Sequence, residues 1–517
     1  MGSIKDETLR GAKWQLLRKA TLQPIQLIFS MVLARLISPE EMGILGLTAI
    51  FFAIAAQLAS AGFGAALIRK IDRTEEDINT MFWFNAAMSL LMALCLFLAA
   101  PWFADFYHQP DLVLLTRISA VMMFLNSFSS VHWTLYTCRR DFKTPAIVST
   151  IVALLSMPIC LWLAFDGWSY WAIVAQGVFS GLLSLCIVWC VSPWKPRLVF
   201  SIQSFRELFG FGSKLAASGL LYVCYSELRT FIIGKFYSPA ALGMYSRGSH
   251  ISAMIPQTVS GVLESVSYPI LSTVQNDDVR LTGAYRKYIK ISTMVLGWVA
   301  FLVGSLAVPL VLLMFGENWL GCVPFIQILA LAYCTDHICS INLNLLKVKG
   351  RSDLFLRLEC IKRVFSIGMV LYAATIGVEA ICWAAVIYNQ IAIFMNCYYT
   401  GKILGLSWWA QQKDYFPYLI AAAISVVPAC FCSVLCQTGL FSLSGDAFGD
   451  YLTYYAGLAA LLMAGASSSA VLYFGYLQWR RDESLLELLS TLAAHPRFSK
   501  VPLLGRWARH VSASSER

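Results

Sequence analysis

A chain of 517 residues that is 58% hydrophobic and only 13% charged carries about half the charge of an ordinary soluble protein. That excludes two or three water-covered domains and leaves a multi-pass membrane protein, most of whose surface faces lipid. The net charge of +10 would suit nucleic acid, but its distribution along the chain decides otherwise.

Residues 1–13 are polar and charged, without the short apolar core and small-residue cleavage site of a signal peptide, so a cytoplasmic N-terminus is expected. Gly2 fails as a myristoylation site, because Asp6 stands where Ser or Thr is needed. Fourteen apolar segments follow, each long enough to cross about 30 Å of hydrocarbon as a helix. They lie at 14–36, 42–64, 79–100, 113–136, 145–165, 169–191, 213–235, 244–273, 289–313, 323–345, 355–376, 380–399, 415–436 and 451–478. The eleventh is the least apolar, since Lys362 and Arg363 interrupt it; with Glu359 they fit an intrahelical salt bridge. The connecting loops are too short to hold a soluble catalytic domain.

The loops alternate in charge. On one side they hold 27 Lys and Arg residues, counting both ends of the chain; the seven opposite loops hold none. Basic loops stay in the cytoplasm, which places both termini there. The positive charge is a topology signal, and no nucleic-acid partner is expected. Residues 479–517 form a basic tail in which Val501, Leu503, Leu504 and Trp507 interleave with cations. An amphipathic segment on an anionic lipid surface and a disordered basic tail both fit that composition.

The 15 cysteines sit mostly inside apolar runs, where a thiol behaves as a small hydrophobe. There is no CxxC pair, no zinc-type spacing and no GxxxxGK[ST] loop, so neither metal nor nucleotide cofactor is expected.

Self-comparison is more informative. Arg35-x-x-Ser38-Pro39-x-x-Met42-Gly43 recurs 200 residues later as Lys235-x-x-Ser238-Pro239-x-x-Leu242-Gly243, and Gln57-x-x-Ser60 as Gln257-x-x-Ser260. One residue out of step, Gly11-Ala-Lys13 pairs with Gly212-Ser-Lys214. Six predicted helices separate the copies, and an even number preserves orientation, so the halves read as parallel repeats. The expected architecture is all-α: an N-lobe at 14–205, a C-lobe at 206–400, and two appended helices at 401–478.

A two-lobe, fourteen-helix chain with Gly11-Ala-Lys13-Trp14 and Leu33-Ala34-Arg35-Leu36-Ile37-Ser38-Pro39-Glu40-Glu41-Met42-Gly43 resembles the polysaccharide exporters of the MOP superfamily. The Wzx/WzxC type is nearest, and MurJ-type flippases are more distant. Arg140-Asp141-Phe142-Lys143 and Lys349-Gly350-Arg351-Ser352-Asp353 look like that family's cytoplasmic loops. The resemblance covers about residues 8–475. It implies a flippase of the bacterial inner membrane that carries an undecaprenyl-diphosphate-linked oligosaccharide outward by alternating access, beside a polysaccharide polymerase and other assembly proteins.

A basic residue near the bilayer centre costs about 2.5–3.5 kcal/mol on insertion scales, so it should face water or a partner. Three segments carry such residues at helical spacing. The first holds Lys19, Gln23, Gln26 and Ser30, with Pro24 as a kink site; the seventh holds Tyr222, Tyr225 and Arg229; the eighth holds Arg247, His250, Met254, Gln257, Gly261, Glu264 and Tyr268. Lys19, Arg35 and Lys235 also fit plain snorkelling at the helix ends. By the resemblance, these helices line a central cavity whose cations hold the lipid diphosphate. Arg supplies bidentate donors and Lys a point charge, while amides and aromatic faces suit sugars. Glu264 and Asp336 are the carboxylates available for ion coupling, and His132 and His337 fit interior hydrogen bonding as well. Two other classes stand as alternatives: a MATE-like drug/ion antiporter, and a membrane-embedded polymerase or glycosyltransferase. The short periplasmic loops without Lys or Arg weigh against an enzyme.

Overall fold

A computed structural model describes residues 4–437 and 448–486. Because unpaired backbone groups cannot be hydrated inside lipid, the apolar segments are helical, and no strand occurs among the described residues. In order they are α1 (Ile4–Leu36), α2 (Pro39–Leu47), α3 (Ala49–Ser60), α4 (Phe63–Arg69), α5 (Glu75–Tyr107), α6 (Leu112–Cys138), α7 (Lys143–Phe165), α8 (Trp171–Val191), α9 (Ile202–Phe236) and α10 (Pro239–Thr273). There follow α11 (Asp278–Ser305), α12 (Ala307–Met314), a 3-10 turn (Glu317–Cys322), α13 (Val323–Val348), α14 (Ser352–Ala373), α15 (Val378–Leu404), α16 (Trp408–Ser425), α17 (Val427–Gln437) and α18 (Phe448–Trp479). Among the described residues eleven helical segments are long and apolar enough to cross a membrane, and α1 adds a shorter apolar helix, Thr21–Leu36. The protein is a multi-pass membrane protein.

The elements follow the expected segments, with informative departures. The second segment, read as one helix over 42–64, is three: Thr48 interrupts it once, and Ala61 and Gly62 break it again in the left-handed region at φ +42° and +71°. The segments at 289–313 and 415–436 are each divided, at Leu306 and Val426. The polar N-terminal stretch is helical from Ile4, and α1 continues through Pro24.

Local sequence accounts for the helix ends. Ser38 caps α2 in a reciprocal box with Glu41, with Pro39 at the first position, and Thr74 does the same for α5 with Asp77. The α6 end is closed by Asp141 N–H donating to the Tyr136 carbonyl at 2.9 Å and Arg140 N–H to Thr137 at 3.0 Å, with Arg140 at φ +56°. The α13 end repeats this with Arg351 to Leu346 at 2.9 Å and Gly350 to Lys347 at 3.0 Å, Gly350 at φ +68°. Both are the left-handed cap in which glycine costs least.

The chain divides into two compact units, Met1–Ser246 and Arg247–Arg517. In the first, the recurring Ser-Pro-x-x-x-Gly segments pack against each other. A Cβ on Gly43 would run into the Pro239 carbonyl, and one on Gly243 into the Pro39 carbonyl. Farther along, α9 lies against α2–α4: Gly234 meets Leu47, Gly219 meets Gln57, and Gly212 meets the backbone of Ala61 and Gly62. Such backbone approach at small residues is how helices associate where lipid tails are as apolar as leucine. The loop between α8 and α9 is held by the start of α5. Asn79 accepts from Arg197 N–H at 2.6 Å, Thr80 from Ser201 N–H at 3.0 Å, and Glu75 from the Trp194 indole at 3.0 Å. At the same end, Lys70 bonds Asp77 at 2.9 Å and Glu207 at 2.8 Å, which raises its pKa above the usual lysine value, the Glu207 bond most. Because the pKa of Lys70 is raised while those of Asp77 and Glu207 are lowered, the cluster stabilises the fold at neutral pH and weakens both as pH climbs past the ordinary lysine range and as it falls through the carboxylate range.

The second unit is organised around α13, the most buried of the eleven spans. Tyr285 on α11 donates towards Asn342 on α13 at 2.9 Å, and its hydroxyl lies 3.0 Å from the Gln411 side-chain oxygen. Asn389 on α15 donates to the Ala332 carbonyl at 2.6 Å and to Thr335 at 3.0 Å. Arg286 on α11 clamps Asp414 on α16 with two bonds of 2.7 and 2.8 Å. As the sequence suggested, Glu359 pairs with Lys362 and, at 3.2 Å, with Arg363 within α14.

Gly43→Ala and Gly243→Ala should each destabilise the protein by about 1–3 kcal/mol, because backbone must shift to admit the methyl group. Gly368→Ala, on α14 in open space, should leave stability unchanged or raise it by up to about 1 kcal/mol. Thermal unfolding in detergent compares them. Lys70→Met leaves buried Asp77 without its cation and should cost about 1–3 kcal/mol in the same assay.

Candidate functional site

The expected polar stripes divide between the two units. On α1, Phe29, Leu33 and Ile37 pack on α7 and α8, through partners including Cys160, Leu163 and Ala172. This leaves Gln23 and Gln26 exposed, while Ser30 bonds back to the Leu27 carbonyl at 2.9 Å. On α9, glycines take the packed side, Tyr222 is 64% exposed, and Tyr225 and Arg229 are half-buried. Lys235 is not part of this stripe. Its ammonium donates to the Phe106 carbonyl at 2.6 Å and sits 3.7 Å from that ring's centre, a helix-end anchor.

On α10, Gly248 and Ser252 form the packed side. Gly248 approaches Phe325 and the Cys322 carbonyl, and Ser252 donates to the Gly248 carbonyl at 2.8 Å and to Ile326 at 3.2 Å. Arg247 stands beside them with its guanidinium 5.5 Å from the Phe315 ring and 5.6 Å from the Trp319 ring. A guanidinium this close to two aromatic rings gains cation–π attraction from both. His250 and Gln257 are exposed. Lys19 and Glu264 lie outside the residues whose side chains the structure describes.

The remaining polar candidates separate. Asp336 is exposed on α13, whereas its neighbour His337 is buried and bonds Thr293 at 2.9 Å. His132 is likewise buried, 2.8 Å from the Ser192 hydroxyl and flanked by Trp189 and Trp194. Both imidazoles act as interior hydrogen-bonding groups between helices.

One feature escaped the sequence reading altogether. The first unit has an open cavity of about 570 Å³ between α2, α3, α5, α6 and α8. Its polar lining is neutral: Thr48, Ser60, Asn85, Ser89, Ser119, Asn126, Ser127 and Ser130. Much of that capacity is spent locally, with Ser127 donating to Phe124 at 2.7 Å and Ser130 to Ser127 at 2.8 Å. No lining residue is charged, so the cavity suits neutral groups and offers nothing to compensate a diphosphate. The run Asn126-Ser127-Phe128-Ser129-Ser130 was its only trace in the sequence, and uncharged residues carry little insertion penalty to mark them.

Residues 32–324 match the model of a family described as polysaccharide biosynthesis protein. The chain belongs to that family. The succinoglycan biosynthesis transport protein ExoT of Rhizobium meliloti (strain 1021) is 27% identical over 486 residues, covering 94% of this chain and 95% of its own. The lipopolysaccharide biosynthesis protein WzxC of Escherichia coli (strain K12) is 22% identical over 367 residues, 70% of this chain and 74% of its own. Among solved structures, lipid II flippase MurJ in an inward closed conformation superposes with a TM-score of 0.65 at 12% identity, covering 91% of this chain and 99% of that one. The resemblance to Wzx-type polysaccharide exporters therefore holds at the level of family and fold.

If the stripes face water, thiols placed on them ionise and react, whereas thiols facing hydrocarbon do not. In a cysteine-free background, Tyr225→Cys and Gln257→Cys should label with a charged, membrane-impermeant maleimide in vesicles. Leu98→Cys, on an exposed apolar face of α5, should not.

Proposed function

We propose that this family member is a flippase that moves a polyprenyl-diphosphate-linked oligosaccharide from the cytoplasmic to the periplasmic face of the bacterial inner membrane. It does so by alternating access, without enzymatic chemistry, for synthesis of a surface polysaccharide. Fourteen crossings, both termini in the cytoplasm, and lobes at 14–205 and 206–400 with an appended 401–478 belong to the same proposal. The observation that carries it is the chemistry of the stripes. Arg229 and Arg247 occur with Gln23, Gln26, Tyr222, Tyr225, His250 and Gln257 on helices of a chain related over nearly its whole length to a succinoglycan transport protein. Guanidinium groups are charge-assisted donors to phosphate, and amides and aromatic faces meet sugars. Lys19 adds a cation on the first helix, and Glu264 and Asp336 supply carboxylates for ion coupling.

Magnitudes favour a simple energy source. An inside-negative potential is worth about 2.3 kcal/mol per charge per 100 mV, so a diphosphate with roughly two charges moves outward downhill by about 4–5 kcal/mol. That drives export without nucleotide.

In host cells depleted of the protein, a completed lipid-linked repeat unit should accumulate while surface polysaccharide is lost, measured by mass spectrometry of extracted polyprenyl diphosphates. An unchanged lipid pool with new sensitivity to cationic drugs would point to an antiporter, and a shortened sugar to an enzyme. Arg229→Ala and Arg247→Ala should abolish export at wild-type levels of inserted protein. Arg247→Lys keeps the charge but loses the planar stack, and should lower export by about ten-fold. Full export from both alanine variants would remove the diphosphate role.

A further inference from the structure

Where α11, α16 and the end of α18 meet, the second unit holds a small cavity of about 260 Å³, separate from the polar stripes and lined largely by ions. Lys290, Lys413, Arg480 and Arg481 contribute four cations, and Asp482 and Glu483 two carboxylates. Two carboxylates cannot cancel four cations. Asp482 is committed: it accepts from the Tyr418 hydroxyl at 2.8 Å and from the N–H groups of Ser484 and Leu485 at 3.0 and 3.2 Å. Buried Asp414 forms an ion pair with Lys290 at 3.7 Å and is itself clamped by Arg286 at 2.7 and 2.8 Å, so that group adds one more cation for its one carboxylate. Positive charge is therefore left in excess around a preformed space.

Two further features describe its setting. Arg481 lies in the left-handed region at φ +52°, in the turn where α18 ends, with its N–H bonded to Gln478 and that of Asp482 to Leu477. Arg140 takes the same left-handed cap at φ +56°, so this geometry fixes the course of the chain after α18. The turn is pinned by Leu485, buried against Tyr418, Tyr473 and Leu477. The pocket also lies at span ends: Lys413 is near the start of the span Trp408–Cys436, and Arg480–Ser484 follow directly on the span Thr453–Trp479, the position in which flanking cations meet a headgroup layer.

We propose that this cavity binds the phosphate headgroup of an anionic membrane lipid such as cardiolipin, as a resident lipid distinct from any transported one. Basic pockets between membrane helices recognise such headgroups by charge-assisted bonds, while the acyl chains stay in the bilayer. The lipid ties α16 and α18 to α11 through its phosphate.

The test uses the full chain in detergent. Native mass spectrometry with added cardiolipin should show the lipid retained by the wild-type protein and by the control Arg139→Gln/Arg197→Gln, with phosphatidylcholine not retained. Lys413→Gln/Arg480→Gln should weaken retention by about ten- to thirty-fold, as expected for two interfacial cations. Arg481→Gly removes a cation while relieving the backbone, so its melting temperature should hold or rise while cardiolipin retention falls several-fold; that separates binding from folding. Retention within two-fold of wild type in both pocket variants overturns the site. If inorganic phosphate alone raises the melting temperature as much as cardiolipin does, the ligand is a soluble phosphate and the lipid assignment is wrong.

Discussion

Close backbone contact at glycine is the interaction on which the first unit depends. In water, apolar helices associate because burial removes them from solvent; in lipid that drive disappears, and packing must come from fit. Gly43 against Pro239 and Gly243 against Pro39 bring two helix–turn–helix corners together by their carbonyls, and Gly62 with Gly212 repeats the device farther along α9. No larger side chain could occupy these positions without moving backbone. The long interface of α9 with α2–α4 follows from them, as does the freedom of the opposite face of α9 to carry Tyr222, Tyr225 and Arg229.

The same economy sorts the polar groups. Several interior polar groups are bonded across helices: His132 to Ser192, His337 to Thr293 and Asn389 to Thr335. Charges are handled separately. Lys235 is anchored at a helix end, Arg247 lies over the Phe315 and Trp319 rings, and Asp414 is clamped by Arg286. The cavity of the first unit stays neutral, so the cations that could meet a diphosphate are those of the stripes. Those of the basic pocket beside α18 form a separate cluster. The family's link with polysaccharide biosynthesis gives the stripes their proposed cargo.

The sequence by itself determined the membrane class and its helical character. Apolar length and charge density are one-dimensional properties, and lipid permits few other structures. It also showed the Ser-Pro-x-x-x-Gly recurrence, since a helix-capping motif has the same residues wherever it occurs, and it placed Arg229 and Arg247 on polar stripes by spacing alone. Tertiary structure decided the rest. The breaks at Thr48, Ala61 and Gly62 lie within an unbroken apolar run, which hydropathy reads as one helix. That Gly43 and Gly243 touch each other's corner depends on two chain segments 200 residues apart. The neutral cavity and the basic pocket are assembled from residues whose individual types raise no signal. A side chain's partner is set by which helices become neighbours, and that information exists only once the helices have packed.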